Sequence, residues 1–102
     1  MPDLSELLSI VEGFQWDLGN SGKSVAKHGV TQSEAEESFF NHPVVVVADT
    51  RHSMTEPRFA MHGVTNAGRA LTIIFTVRGA LVRVISARNM SRRERREYEK
   101  AT

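Results

Sequence analysis

The spacing of apolar residues changes period several times along the chain, and each change marks a predicted element. Leu4, Leu7, Leu8 and Val11 recur at helical spacing behind Asp3, a candidate N-cap, and the stripe stops at Gly13, which predicts a short amphipathic helix in residues 1–13. That segment carries no Lys or Arg, so its stripe reads as core or partner contact rather than membrane anchor. Phe14 and Trp16 flank Gln15 in the alternation of a short strand. Leu18 to His28 is weakly helical, since Gly19 and Gly22 each cost about 1 kcal/mol relative to Ala, and Gly29 suits the left-handed position that closes a helix. Thr31-Gln32-Ser33-Glu34 has capping-box spacing and predicts a helix from Gln32 to near Asn41, with Ala35 and Phe39 on its buried side and Pro43 barring its continuation.

The second half reads mainly as strands. Val44 to Ala48 is an unbroken run of valines closed by alanine, which predicts a strand covered over much of its surface, and the polar residues 49–57 after it read as a loop ending in Pro57. Arg58–Val64, Arg69–Val77 and Leu81–Arg88 are linked by Asn66-Ala67-Gly68 and by the turn pair Arg78-Gly79, the pattern of an antiparallel meander. Ser91-Arg92-Arg93-Glu94 is a second capping box, opening a helix through about Lys100. Tyr98 is the only large apolar side chain in that helix, so an apolar stripe cannot hold it in place. Together these elements predict an α+β fold.

Composition narrows the possibilities. The 102 residues suffice for one domain, and 40% hydrophobic with 25% charged residues matches a globular chain rather than a disordered one. No run approaches the length of a membrane span, and no secretory leader is visible, so a cytoplasmic protein is expected. The absence of cysteine excludes disulfides, thiolate metal sites and a thiol nucleophile. The net charge of +1 conceals a segregation: residues 1–51 carry −5 and residues 52–102 carry +6. Ten of the thirteen basic residues are Arg, whose planar fork matches phosphate geometry, and two of them stand in the first turn of the last helix, where the dipole disfavours cations. Helix stability does not explain that placement, whereas an acidic partner or nucleic acid does.

The candidate chemistry follows from that charge. His28, His42, His52 and His62 have no compact metal-ligand spacing, and Asp49, His52 and Glu56 form at best a weak divalent-ion set on a polar loop. Cleavage of RNA by attack of a ribose 2′-hydroxyl needs a base, an acid for the leaving 5′-oxygen, and fixed cations for the phosphorane charge, with no metal. His28 and Glu56 are the candidate proton carriers, and Lys27, Arg58, Arg78 and Arg88 the candidate charge stabilisers.

Read in order, these residues resemble a known family. Phe14-x-Trp16-Asp17 is followed by Lys27-His28-Gly29-Val30 with Glu34-Ala35, then by Asp49-x-x-His52-Ser53-x-x-Glu56-x-Arg58 and Gly63. Gly68-Arg69 with Leu71, Thr76-x-Arg78-Gly79 and Arg83-x-Ile85-Ser86-Ala87-Arg88 come next, running into Arg92-Arg93-Glu94-Arg95-x-x-Tyr98-Glu99. The blocks resemble, over residues 14–100, the BrnT toxins of bacterial type II toxin–antitoxin systems.

The resemblance implies a small RelE-like ribonuclease domain at 14–102 behind an extension at 1–13. An antiparallel β-sheet would pack with two helices from the N-terminal half and an Arg-rich C-terminal helix. It further implies inhibition of translation by cutting RNA without metal or cofactor, and neutralisation by a BrnA-like antitoxin in a multimeric complex. DNA would be contacted only through the antitoxin, and no membrane is involved. Lys27, His28, Glu56, Arg58, Arg78 and Arg88 are the implied site residues, with base, acid and stabiliser unassigned among them. The chain departs from the family at Asn20, usually Lys, and Ser24, usually Asn, in a first helix that also holds Gly19 and Gly22. Those departures leave a catalytically inactive antitoxin-binding or RNA-binding subunit as the alternative, and the Asp49, His52 and Glu56 set leaves a metal-dependent nuclease.

Overall fold

A computed structural model describes residues 11–17, 19, 20, 22, 27–41, 43–49 and 56–102. Most of the helix expected at 1–13, most of that expected at 18–28, and His42, Arg51, His52 and Ser53 lie outside the described residues. The elements are β1 (Gly13–Phe14), α1 (Gln32–Phe40), β2 (Val45–Asp49), β3 (Arg58–Val64), β4 (Ala70–Arg78), β5 (Leu81–Asn89) and α2 (Arg92–Ala101). The fold is α+β, and no helix among the described residues is long and apolar enough to cross a membrane.

One sheet holds all five strands, in the order β1-β5-β4-β3-β2. The meander of β3, β4 and β5 is as the sequence predicts, and β2 joins it antiparallel to β3. The sheet is mixed rather than wholly antiparallel, because β1 runs parallel to β5. A short hairpin fixes opposite directions only between consecutive strands, and β1 meets a strand distant in sequence. A second correction concerns β2. It is an edge strand, covered on one side only: Val44 and Val46 pack against the core, while Val47 is 47% exposed, because among the described residues β2 has β3 as its one strand neighbour.

Register separates the two faces of the sheet. Phe59, Met61, Leu71, Ile73, Phe75, Val82, Val84 and Ala87 turn to the same side as Val30 and Ala35 and form the core. Phe39 of α1 sits edge-on between Phe14 and Phe75, with ring centroids 5.3 and 5.2 Å away. α1 itself is set by its sequence: Thr31 accepts from the Glu34 amide and Glu34 reaches back to the Thr31 amide. Its far end is fixed by Asn41, which donates to Val64 O and Asn66 Oδ1. Gly29, with φ of 66°, supplies the left-handed residue expected after the helical Lys27 and His28.

The opposite face carries Arg58, Ala60 and His62 on β3, Thr72, Ile74 and Thr76 on β4, and Arg83 and Arg88 on β5. Arg83 and Arg88 are an odd number of residues apart, so in a regular strand they would point to opposite sides. They do not, because β5 bulges: Ile74 pairs with Ser86 and Phe75 with Val84, leaving Ile85 as the extra residue. Arg83 therefore pairs with Thr76 and Arg88 with Thr72, both on one side of β4.

α2 is moored to this second face by polar contacts, as its lone tyrosine predicts. Its Ser91 capping box is complete, and Tyr98, its one buried side chain, donates its hydroxyl hydrogen to Pro43 O at 2.6 Å. Arg88 grips Glu94 with both Nη atoms, at 2.7 and 2.9 Å. The hydrogen bonds from Arg88 hold the Glu94 carboxyl at about 2, helped by the Ser91 amide and the Arg88 charge and opposed by burial.

Two predictions follow from this packing. A Cβ at Gly63 would lie 2.7 Å from Ser38 O in the α1 backbone, so Gly63→Ala should cost about 1–3 kcal/mol, read as a lower urea midpoint. Glu94 has its folded pKa depressed from 4.5 to about 2. Its share of stability is therefore whole above pH 4.5 and lost as pH falls toward 2. Thermal midpoints measured across that window should fall more for the native chain than for Glu94→Gln.

Candidate functional site

Where β4 and β5 turn, the second face of the sheet forms a hollow of about 160 Å³. The hairpin builds most of it. Gly79 takes a φ of 61°, the conformation glycine supplies to a two-residue hairpin turn, and Arg78 pairs with Leu81 just before it. Arg78 is thus the last residue of a strand and not part of the turn, so its side chain is aimed by the sheet. Thr76 and Arg83 face each other two pairs further in, and Arg58 opens β3 beside them. Thr76 Oγ1 donates to Pro57 O at 2.7 Å, which ties the segment carrying Glu56 to β4. Glu56 then accepts from Arg78 Nε at 2.9 Å and Nη2 at 2.8 Å, a two-toothed pair.

The other wall is Gly19 and Asn20, pinned to β5 with Gln15 and Asp17. Asn20 is buried and donates from Nδ2 to Gln15 O and Val84 O, both at 3.0 Å, while its Oδ1 accepts the Asp17 amide at 2.8 Å. Asparagine at this position is therefore a brace between backbones and supplies no cation to the hollow. Asp17 in turn accepts from Arg83 Nη1 at 2.8 Å and Nη2 at 3.1 Å. Trp16 donates from Nε1 to Glu36 at 2.7 Å, which links this wall to α1.

Three guanidinium groups and the Glu56 carboxylate thus line the hollow, and Asp17 stands behind Arg83. The Arg78 hydrogen bonds hold the Glu56 carboxyl below its ordinary range, and the charges of Arg78, Arg83 and Arg58 add to that against some desolvation. Arg78 is stabilised as a cation by the same bonds. Asp17 is lowered chiefly by its hydrogen bonds from Arg83, then by the Gly19 amide. Both carboxyls are ionised at neutral pH. The Arg78–Glu56 pair is exposed on both partners and contributes little to stability, so an incoming anion can compete for the Arg78 fork, whereas Arg83 is the more enclosed partner of an exposed Asp17.

The remaining sequence candidates sit elsewhere. Arg88 shares the face of Arg83 but lies at the Thr72 end, about 13 Å along β4 at ~3.3 Å per residue. Its neighbour there is His62, whose Nδ1 lies 3.1 Å from Thr72 Oγ1 and whose pKa is lowered by burial. Lys27 and His28 stand at the other end of β4 from Arg78. Arg69, which precedes that strand, donates to His28 O and Gly29 O and also engages Glu34 and Asn89. The structure therefore brings together Glu56, Arg58 and Arg78, adds Arg83 and Thr76, and leaves Arg88, Lys27 and His28 outside that hollow. Thr76 had a legible signal, its alternation with Arg78. Arg83 is located by counting back across a two-residue turn, but its tie to Asp17 is tertiary.

Among the described residues, no group of three His, Asp or Glu side chains could hold a metal ion. Of the metal set considered from sequence, Glu56 is engaged by Arg78, while His52 and the Asp49 side chain lie outside the described positions.

Comparison with known proteins adds one finding. Residues 16–94 match the family model described as ribonuclease toxin, BrnT, of type II toxin-antitoxin system. That span runs from Trp16 to Glu94 and so includes the hollow, the bulge and the Arg88–Glu94 pair. No curated protein matches the chain.

Proposed function

The chain belongs to the BrnT family of ribonuclease toxins of type II toxin–antitoxin systems, and we propose that it is a metal-independent endoribonuclease whose reaction centre is the hollow at Arg78. One observation carries this reading: an ionised carboxylate, Glu56, stands among Arg58, Arg78 and Arg83 in a single concavity. On this reading the domain is a RelE-like scaffold, and its toxicity is arrest of translation in the cytoplasm by cutting RNA. A BrnA-like antitoxin silences it in a multimeric complex and alone contacts DNA.

The geometry supports a division of labour. Glu56 takes the proton of a ribose 2′-hydroxyl as its oxygen attacks the adjacent phosphorus. The bond from phosphorus to the 5′-oxygen breaks, that oxygen takes a proton from solvent at the open rim, and a 2′,3′-cyclic phosphate remains. Arg78 has Nη1 free of hydrogen bonds among the described residues while Nε and Nη2 hold Glu56, so one guanidinium both orients the base and meets the phosphate. Arg58 and Arg83 add charge where the phosphorane becomes most negative. Arg88 serves a flanking phosphate on the same face. Lys27 and His28 serve the RNA backbone and take no part in proton transfer at the hollow, since their segment is anchored at the far end of β4.

The assay is RNA cleavage by the purified, antitoxin-free chain in EDTA. Cleavage should persist, fall by about 10²–10⁴-fold in Glu56→Gln, and fall by about 10²–10³-fold in Arg78→Ala, both variants keeping the native urea midpoint within experimental spread. RNA left intact with and without ribosomes would end the ribonuclease reading. Tight antitoxin binding in that event would identify an idle binding subunit, and activity that needs restored divalent ions would identify a metal-dependent nuclease.

A further inference from the structure

Among the described residues the sheet ends at β2. This strand is last in the order and pairs with β3 alone, and among the described residues no hydrogen bond reaches the main-chain groups of its outer edge. Edge strands are usually blunted by Lys, Pro, a bulge or a covering element. Val44-Val45-Val46-Val47-Ala48 contains no such residue, Pro43 and Asp49 merely bound it, and Val47 and Ala48 are exposed. Valine is among the side chains that pack best against a neighbouring strand.

The helix that runs from β5 to that edge is basic. The Tyr98 bond to Pro43 O moors α2 at the start of β2, and the helix presents Arg92, Arg93, Arg95, Arg96 and Lys100 to solvent. Arg93 and Arg95 pair with Glu97 and Glu99 on the helix, whereas Arg92 and Arg96, one turn apart, make no ion pair among the described residues. At the other end of β2, Asp49 pairs in register with Arg58, at the rim of the hollow.

We infer that β2 is the docking edge for the antitoxin: an extended segment of it, β-branched over about five residues, adds to the sheet by strand addition, and an adjoining acidic stretch lies on α2. Main-chain hydrogen bonds supply the affinity, and the arginines select for the acidic flank. A second copy of this chain is the poorer occupant. It brings the same basic helix, and one short strand pair falls well below the ~800 Å² per partner of a stable interface. The inference rests on family membership, which implies an antitoxin, and not on the ribonuclease site.

Amide hydrogen exchange on the full chain, free and bound to its co-expressed antitoxin, tests the inference without any variant. The outward amides of Val44–Ala48 should exchange quickly in the free chain and about a hundredfold more slowly in the complex. Val47→Lys, a substitution that natural edges tolerate, should weaken antitoxin binding about tenfold or more while RNA cleavage stays at the native rate. Arg92→Glu with Arg96→Glu should weaken binding and flatten its salt dependence. Unchanged exchange at β2 in the complex, native antitoxin affinity in Val47→Lys, or no antitoxin binding at all would overturn the inference. So would protection of β2 in the free chain that grows with protein concentration, which would assign the edge to a second copy. Loss of RNA cleavage in the native chain alongside a protected β2 would instead refute the ribonuclease proposal and leave this one standing.

Discussion

One extra residue in β5 governs how the cationic side chains of this domain are distributed. Strand alternation would send Arg83 and Arg88 to opposite faces, and one of them would then compete with Val84 and Ala87 for the core. The bulge at Ile85 absorbs the difference, so Val82, Val84 and Ala87 all face α1 while Arg83 and Arg88 share the outer face. That face then has two polar ends, Thr76 with Arg83 and Thr72 with Arg88, separated by the half-exposed Ile74. A bulge beside a functional surface that re-aims a side chain is a recurrent use of this irregularity.

Each end of the face resolves its excess positive charge with a carboxylate, but to different effect. At the Thr72 end, Glu94 is partly buried, completes the cap of α2 and holds the helix against the sheet through Arg88. That pair is architectural. At the Thr76 end, the Arg78–Glu56 pair is more exposed on both partners, so the same type of pairing is exchangeable there. An open Arg–carboxylate pair keeps the guanidinium oriented in the absence of substrate while leaving a phosphate able to share it. Burial, rather than residue type, thus separates the structural pair from the candidate catalytic one.

Much of this was legible in the chain, and for local reasons. Capping boxes at Thr31 and Ser91, the closing Gly29 and the meander from Arg58 onward depend on contacts within a few residues, and all appear as expected. What sequence could not supply are long-range pairings. The parallel contact of β1 with β5 joins segments that no hairpin connects, and the exposure of β2 depends on which strand takes the edge, which an apolar run does not encode. Ile85 looks like any other strand residue until its partner strand is known. His28 is a candidate proton carrier by residue type, by its place at a predicted helix end and by the family resemblance. Arg69, an equally anonymous arginine in sequence, is what anchors its segment away from Arg78. Glu56 and Arg78 were both singled out, yet their pairing depends on Thr76 holding Pro57, a tertiary contact.

The central claim is that Glu56 turns a ribose hydroxyl against its own phosphate among three arginines. Its most direct test is an RNA oligonucleotide cut by the chain at a mapped bond and remade with a single 2′-deoxyribose on the 5′ side of that bond. The account predicts a 2′,3′-cyclic phosphate on the all-RNA product and no cut at the deoxy position. Cleavage of the deoxy oligonucleotide at the same bond and rate would contradict it.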